Sequence, residues 1–205
     1  MSLPQERRAA ALLLIGVLAP LIIMGMHPTG GDLATGGARL VLINHVVHGV
    51  SLAAQPIVFV GLLGVWRSLR SDVATLALVC YAFGIVAILT AATLSGFVAP
   101  DALPERPLLL YTGLLNQAFA KVSVTAIGAS IALWGAALWQ QHSRGFGRVV
   151  AIAGLIVGAV LAFGVLSGAL YLNVGGILFV TVLEGAWIAL VAVHLLRGPA
   201  SPPLR

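Results

Sequence analysis

Six long apolar segments, separated by short polar connections, are the feature that most restricts how this chain can fold. Each segment is long enough for the roughly 20 residues that a helix needs to cross a bilayer. A membrane β-barrel would instead need tilted segments of about ten residues with strict alternation, which this sequence does not show. We therefore predict an all-α integral membrane protein, a compact bundle of six transmembrane helices. The predicted spans are residues 9–26, 39–66, 73–98, 108–139, 149–172 and 176–196.

The composition agrees with this fold class. Of the 205 residues, 60% are hydrophobic and 8% are charged, and the mean hydropathy of +1.08 lies far above that of soluble domains. Because the connections are short, we predict a single six-helix transmembrane domain over residues 1–205. Arg7 and Arg8 precede the first segment as in a secretory signal. Its apolar run of about 18 residues exceeds a signal core of roughly 7 to 15, so we expect a retained span.

The positions of the basic residues predict the orientation of the bundle. A pI near 10.4 can indicate a nucleic-acid-binding protein, but in a six-span arrangement most arginines fall on one side of the membrane. By the positive-inside rule that side is cytoplasmic, so we expect both termini in the cytoplasm, a plasma or inner cell membrane, and no nucleic acid partner. The arginines on the cytoplasmic side are Arg7, Arg8, Arg67, Arg70, Arg144, Arg148, Arg197 and Arg205, and those on the outer side are Arg39 and Arg106.

Polar residues in four segments fall at similar predicted depths. With a helical rise of about 1.5 Å per residue, His45 and His48 lie roughly 9 to 14 Å below the outer start of the second span, and Glu184 about 12 Å below that of the sixth. The fourth span adds polar residues at roughly 12 to 20 Å, and the third reaches the same layer. We predict an outward-facing polar pocket in the outer half of the bilayer. Its residues are Asn44, His45, His48, Ser51, Gln55, Thr93, Ser95, Asn116, Gln117, Lys121 and Glu184.

Lys121 and Glu184 are the two charged residues deep within the predicted spans. A charge inside the membrane costs at least about 2.5 to 3.5 kcal/mol, and such groups face the bundle interior or a cavity and pair with other groups there. Since the two residues have opposite signs and similar predicted depths, we expect them to pair, directly or through water or a substrate. Such a pair would either face a functional cavity or hold two helices together.

The stretch NHVVHG, residues 44–49, places two histidines three positions apart in the second span. His45 and His48 lie on neighbouring helical faces and can both bind one metal ion. His27, at the end of the first span, and Asp32, in the following loop, complete a set that suits zinc, copper or iron. His27, His45 and His48 are candidate ligands of a divalent transition metal, with haem as a less favoured cofactor; a metal-free polar or proton-handling role and a purely structural role are the alternatives, and the cofactor stays open. Cys80 is the single cysteine, which excludes a cysteine-rich metal site.

The fifth segment contains two pairs of glycines with four-residue spacing, Gly154 with Gly158 and Gly164 with Gly168. Small residues at this spacing allow the backbone of a neighbouring helix to approach closely. We expect a close helix contact here and no binding or catalytic role.

Three functions are compatible with this pattern. The favoured one is a polytopic membrane protein whose outward-facing pocket binds a metal or small molecule from the outer side, with a membrane-embedded enzyme as one form of it. The second is a small proton- or ion-coupled transporter or channel subunit that uses titratable histidines. The third is a structural or accessory membrane subunit. The inner halves of the spans are mostly Leu, Val, Ala and Gly, which favours a pocket over a path through the whole membrane.

Overall fold

The computed structural model of the chain describes residues 4–28, 37–141 and 145–197. Its regular structure is helical, and six helices are long and apolar enough to cross a membrane, which confirms the predicted class and number of spans. Asp32, Arg144 and Arg205 lie outside the described residues. The six helices are α1 (Gln5–Met24), α2 (Gly37–Leu69), α3 (Asp72–Thr93), α4 (Arg106–Gln141), α5 (Phe146–Leu166) and α6 (Val174–Arg197).

The third span is longer than α3 itself. The chain continues through one π-helical turn, Leu94–Val98, into a short α-helical turn, Ala99–Asp101, and the whole span is 30 residues long. At the other end, the Ser71 hydroxyl caps α3 by accepting a hydrogen bond from the backbone N–H of Ala74 at 3.2 Å, a common role of serine at a helix start. The π turn is the unusual part of this span, because such turns are rare and frequently occur at functional sites.

The six helices form a closed ring in chain order. Each helix packs against the next one along the chain, and α6 returns to pack against α1. The apolar part of α4 is the most buried, at 56% against 33% to 39% for the other spans. At one end, which we call the arginine-rich end, Gln141 Nε2 donates a hydrogen bond to the Leu69 carbonyl at 2.8 Å and joins α4 to α2. The described arginines at this end are Arg7, Arg8, Arg67, Arg70, Arg148 and Arg197.

The contact between α4 and α5 is made by glycines. A β-carbon on Gly128 would lie 2.8 Å from the backbone nitrogen of Ala162 and 2.9 Å from the carbonyl oxygen of Gly158. A β-carbon on Gly154 would lie 3.1 Å from the α-carbon of Gly135. The two backbones therefore approach as closely as glycine allows, which confirms the contact predicted from Gly154 and Gly158.

The second pair of glycines has a different role. Gly168 follows the end of α5 with a positive φ of 73°, the left-handed conformation that glycine adopts most easily beyond a helix end. Among the described residues, a β-carbon on Gly164 would meet only the side chain of Leu170 within 4 Å. The helix accordingly ends at Leu166, earlier than the predicted span end at 172, and the prediction of a close helix contact at Gly164 and Gly168 is wrong.

Two helices are much longer than a bilayer is thick. The 33 residues of α2 and the 36 of α4 correspond to about 50 and 54 Å, whereas the hydrocarbon core measures about 30 Å. Away from the arginine-rich end, α5 continues for roughly two turns beyond Gly158, whereas α4 continues for roughly six turns beyond Gly128, which contacts Gly158. At this end α4 therefore extends roughly 20 Å farther than α5. Distance from the start of α2 or α4 is therefore not a measure of depth in the membrane.

Candidate functional site

A cavity of about 680 Å³ lies inside the ring of helices, bounded by α1, α2, the third span, α4 and α6. It extends from Pro28, Leu103 and Asn173, near the loops opposite the arginine-rich end, to the level of Val58 and Gly185. Most of the wall is apolar, and the polar groups are placed among aliphatic side chains. The polar residues that line the cavity are His27, Asn44, His48, Ser51, Gln55, Ser95, Asn116, Gln117, Ser123, Asn173, Thr181 and Glu184.

Asn44 connects α2 to the π turn at the wall of the cavity. Its side chain is fully buried, and Nδ2 donates hydrogen bonds to the carbonyl oxygens of Ser95 and Gly96, each at 3.1 Å. A π turn changes the regular i to i+4 backbone pairing, and Asn44 supplies a donor to the carbonyls in this stretch. A β-carbon on Gly96 would overlap the side chain of His48. The glycine in the π turn therefore makes the space that His48 occupies.

Two histidines lie in contact where the cavity meets the loops. The rings of His27 and His48 have centroids 4.9 Å apart and are inclined by 62°. His48 Nδ1 lies 2.9 Å from the Asn44 carbonyl oxygen, and His27 Nδ1 lies 2.7 Å from that of Pro28. A carbonyl oxygen only accepts hydrogen bonds, so Nδ1 carries the hydrogen in both rings. Each neutral imidazole then presents Nε2 as an acceptor or ligand atom.

His45 is not part of this pair. It does not line the cavity, and its ring stacks on Phe97, with centroids 5.2 Å apart and an angle of 13°. Among the described residues, no group of three or more His, Cys, Asp or Glu side chains is placed to hold a metal ion. The structure thus brings together two of the three histidines of the predicted metal site, and metal binding stays a prediction.

A second polar group lies deeper in the cavity. The Tyr81 hydroxyl is 3.1 Å from Oε1 of Glu184 and 3.3 Å from Oε1 of Gln55, and the tyrosine side chain is 1% exposed. Its single proton can be donated to either acceptor. Gln55 is seven residues beyond His48 on α2, which places this group about 10 Å closer to the arginine-rich end. We call Tyr81, Gln55 and Glu184 the deep cluster.

The predicted pair of Lys121 with Glu184 does not form. Lys121 is exposed and lies outside the cavity wall, whereas its neighbour Ala120 is buried and lines the cavity. Since successive residues point about 100° apart around a helix, Lys121 points to the side of the cavity and not into it. Glu184 takes its hydrogen bond from Tyr81. The prediction of this pair was wrong because similar depth in two helices does not determine which way their side chains point.

Most of the other predicted pocket residues line the cavity. Thr93 is an exception, since its side chain is exposed and its hydroxyl donates to the Leu89 carbonyl of the same helix at 2.8 Å. Gln117 lines the cavity and donates through Nε2 to the Leu172 carbonyl at 3.0 Å. The role of these residues in binding stays a prediction. The predicted residues that line the cavity are Asn44, His48, Ser51, Gln55, Ser95, Asn116, Gln117 and Glu184.

Four polar residues at the site were among neither the predicted pocket residues nor the predicted metal ligands: Tyr81, Ser123, Asn173 and Thr181. Tyr81 lies in the middle of the third span, and a buried tyrosine hydroxyl usually has a hydrogen-bond partner, so its position alone was a signal. Ser123 is fully buried in the cavity wall, and its Oγ has no hydrogen-bond partner among the described residues. The same holds for Oδ1 of Asn44. The wall around the cavity therefore contains two fully buried acceptors without a hydrogen-bond partner among the described residues.

Comparisons of this chain with protein-family models, with curated proteins and with solved structures found no match. The geometry and chemistry of the cavity are therefore the basis for assigning a function to the chain.

Proposed function

We propose that this protein is an integral membrane protein that binds a small molecule in its central cavity, which opens to the outer side of a plasma or inner cell membrane. The observation that carries the proposal is the cavity of about 680 Å³, lined by polar groups from four of the six spans and by His27 and Asn173 in the connections. Its volume lies within the range of roughly 300 to 1,000 Å³ typical of ligand sites, and its few polar groups in a largely apolar wall are typical of them too.

The orientation follows from the arginines. Six described arginines lie at one end of the ring, and the positive-inside rule places that end in the cytoplasm. Both termini are then cytoplasmic, because α1 begins and α6 ends there. The cavity meets the loops at the opposite end, near Pro28 and Asn173, so it opens outward.

This orientation also sets the depth of the polar groups. Along α2, Gln55 lies about 20 Å and His48 about 30 Å from the cytoplasmic end at Leu69. With a hydrocarbon core of about 30 Å, the deep cluster is near the middle of the bilayer and the two histidines are near its outer surface. In this orientation the polar layer predicted from the sequence is divided into an outer rim, formed by His27 and His48, and the deep cluster.

A purely structural role is less well supported. Polar residues that only fasten helices together would be expected to lie in a closely packed interior, because protein interiors contain few voids larger than a water molecule. Here the polar groups surround a large space.

A proton- or ion-coupled transporter is the second candidate. Glu184 and His48 line the same cavity, and both side chain types exchange protons. A transporter would also need a state open to the cytoplasm. In the structure, the space beyond Glu184 toward the arginine-rich end is filled by fully buried side chains, including Leu62, Ile131 and Trp134. Binding from the outer side needs no such second state.

Cysteine labelling tests the proposal. In a Cys80→Ala background, a membrane-impermeant thiol reagent added outside should label Ser51→Cys, because Ser51 lines the cavity one turn below His48. Val86 is 64% exposed on the face of α3 that points out of the helix bundle. Val86→Cys should remain unlabelled, since the surrounding lipid keeps water and reagent away from it. Asp101→Cys, exposed near the outer loops, is the positive control. Labelling of Ser51→Cys only from the cytoplasmic side, or from neither side, would overturn the proposal.

A further inference from the structure

We propose that the ligand of the cavity is an amphipathic organic cation, a protonated amine carried on an apolar body, with its ammonium group at Glu184. This inference rests on the proposed function, because it names the class of molecule that the same cavity binds. The observation behind it is a carboxyl group, in the wall of an otherwise largely apolar cavity, that has no cationic partner among the described residues.

The charges around the cavity favour a cation. Glu184 is the only acidic side chain among the described lining residues, and no lysine or arginine is among them. Lys121, the one basic residue in the middle part of a span, is exposed outside the cavity. A carboxylate near the middle of a bilayer is costly without a partner of opposite charge. A bound ammonium group would supply that partner.

The geometry of Glu184 leaves room for this contact. Oε1 lies beside the Tyr81 hydroxyl at 3.1 Å, and the described residues provide no hydrogen bond to Oε2. An ammonium group has three N–H donors. Oε2 of Glu184 can accept one of them. Tyr81 thus positions the carboxyl group and does not compete for its second oxygen.

The rest of the cavity suits the remainder of such a molecule. Around and above the deep cluster, aliphatic side chains of five spans face the space and can pack against an apolar body. At the rim, His27 and His48 present Nε2 lone pairs when neutral, and amide side chains lie beside them. Such a rim contains acceptors and neutral groups that a cation can pass. The aliphatic lining residues on the wall include Val17, Val58, Ile88, Ile127 and Val180.

A matched pair of probes tests the inference. A panel of n-butylamine, n-hexylamine, 2-phenylethylamine and 1-aminoadamantane is titrated into the purified wild-type protein, each amine beside the alcohol of the same skeleton, and the dissociation constant is obtained from the shift in thermal midpoint. We expect the best amine to bind roughly tenfold more tightly than its alcohol, since a hydrogen bond to a charged group contributes that much more than a neutral one. The preference should fall to within about twofold in Glu184→Gln.

Glu105→Gln is the control for this variant, because it removes a carboxyl group of the same kind from an exposed position outside the cavity wall. It should keep the full preference for amines. If no amine in the panel binds more tightly than its alcohol, or if the preference persists in Glu184→Gln, the inference is overturned. The comparison in the wild type decides the question even if Glu184→Gln does not fold.

The two proposals can fail separately. Alcohols that bind as well as amines, together with labelling of Ser51→Cys from outside, would leave a small-molecule cavity and exclude a cation site. In that case Glu184 would be neutral in the bound state and would act as a hydrogen-bonding or proton-carrying group. Absence of Ser51→Cys labelling would instead remove the outward-facing cavity on which the inference rests.

Discussion

On one face of α4, Gly128 and Gly135 bring its backbone against that of α5 with no space for a single added carbon. On another face, the same helix borders a cavity of about 680 Å³ that separates it from α1, α2 and α6. The two faces belong to one helix and differ in their residue types. The packed face has glycines, and the cavity face has Asn116, Gln117 and Ser123.

The difference between the packed face and the cavity face of α4 indicates that the cavity is a specific feature of the fold. A chain that reaches backbone contact along α4 and α5 is able to pack its helices closely. The cavity face combines polar lining residues with an internal space, a combination that is unstable unless water or a ligand satisfies the polar groups. We therefore expect added volume to be destabilising on the packed face and tolerated on the cavity face.

The largest effect is expected for Gly128→Ala. Its β-carbon would lie 2.8 Å from the backbone nitrogen of Ala162, and overpacking against a backbone that cannot move aside costs about 1 to 3 kcal/mol. The measurement is the thermal midpoint of the purified protein in detergent. Gly113→Ala is the matched control, because Gly113 is in the same helix and lines the cavity, and a β-carbon added there would meet no neighbouring group within 4 Å. Equal losses for the two variants would contradict the distinction between the faces.

A smaller effect is expected for Asn44→Ala, which tests the wall of the cavity at the π turn. The substitution removes the donor to the carbonyl oxygens of Ser95 and Gly96, and hydrogen bonds between membrane helices contribute about 1 to 2 kcal/mol at most. The thermal midpoint should fall by less than in Gly128→Ala. Thr93→Ala, which removes an exposed hydroxyl bonded within its own helix, should leave the midpoint unchanged. A neutral Asn44→Ala variant would show that the π turn does not depend on this contact.

The sequence predicted the fold better than the site, for a physical reason. Length and hydropathy alone determine that a segment such as Phe146–Leu166 can span a membrane, and glycine spacing identified Gly154 and Gly158 as a close contact. These are local properties. The π turn at Leu94–Val98 has no comparable local signal, because its carbonyls are bonded by Asn44 from another helix.

Rotation and depth were the properties that local patterns could not supply. Asn44, His48 and Gln55 share the face of α2 that lines the cavity, whereas Lys121 of α4 does not face it. Depth counted from helix starts failed because α2 and α4 are about 20 Å longer than the hydrocarbon core. His48 and Glu184, expected in one layer, contact different partners at different levels, the former His27 and the latter Tyr81.

The smallest effect is expected for Lys121→Met, and it separates the two accounts of Glu184. A direct ion pair predicts a loss of about 3 to 5 kcal/mol, because a buried charge would be left without its partner. The structure places Lys121 on the exposed surface of α4, where its replacement removes no contact with Glu184, so we expect no loss of stability. Tyr81→Phe is the comparison, since it removes the hydrogen bond that Glu184 does have and should cost about 1 kcal/mol. A midpoint that falls farther in Lys121→Met than in Tyr81→Phe would mean that the lysine reaches the carboxyl group, and the need of Glu184 for an external cation would disappear with it.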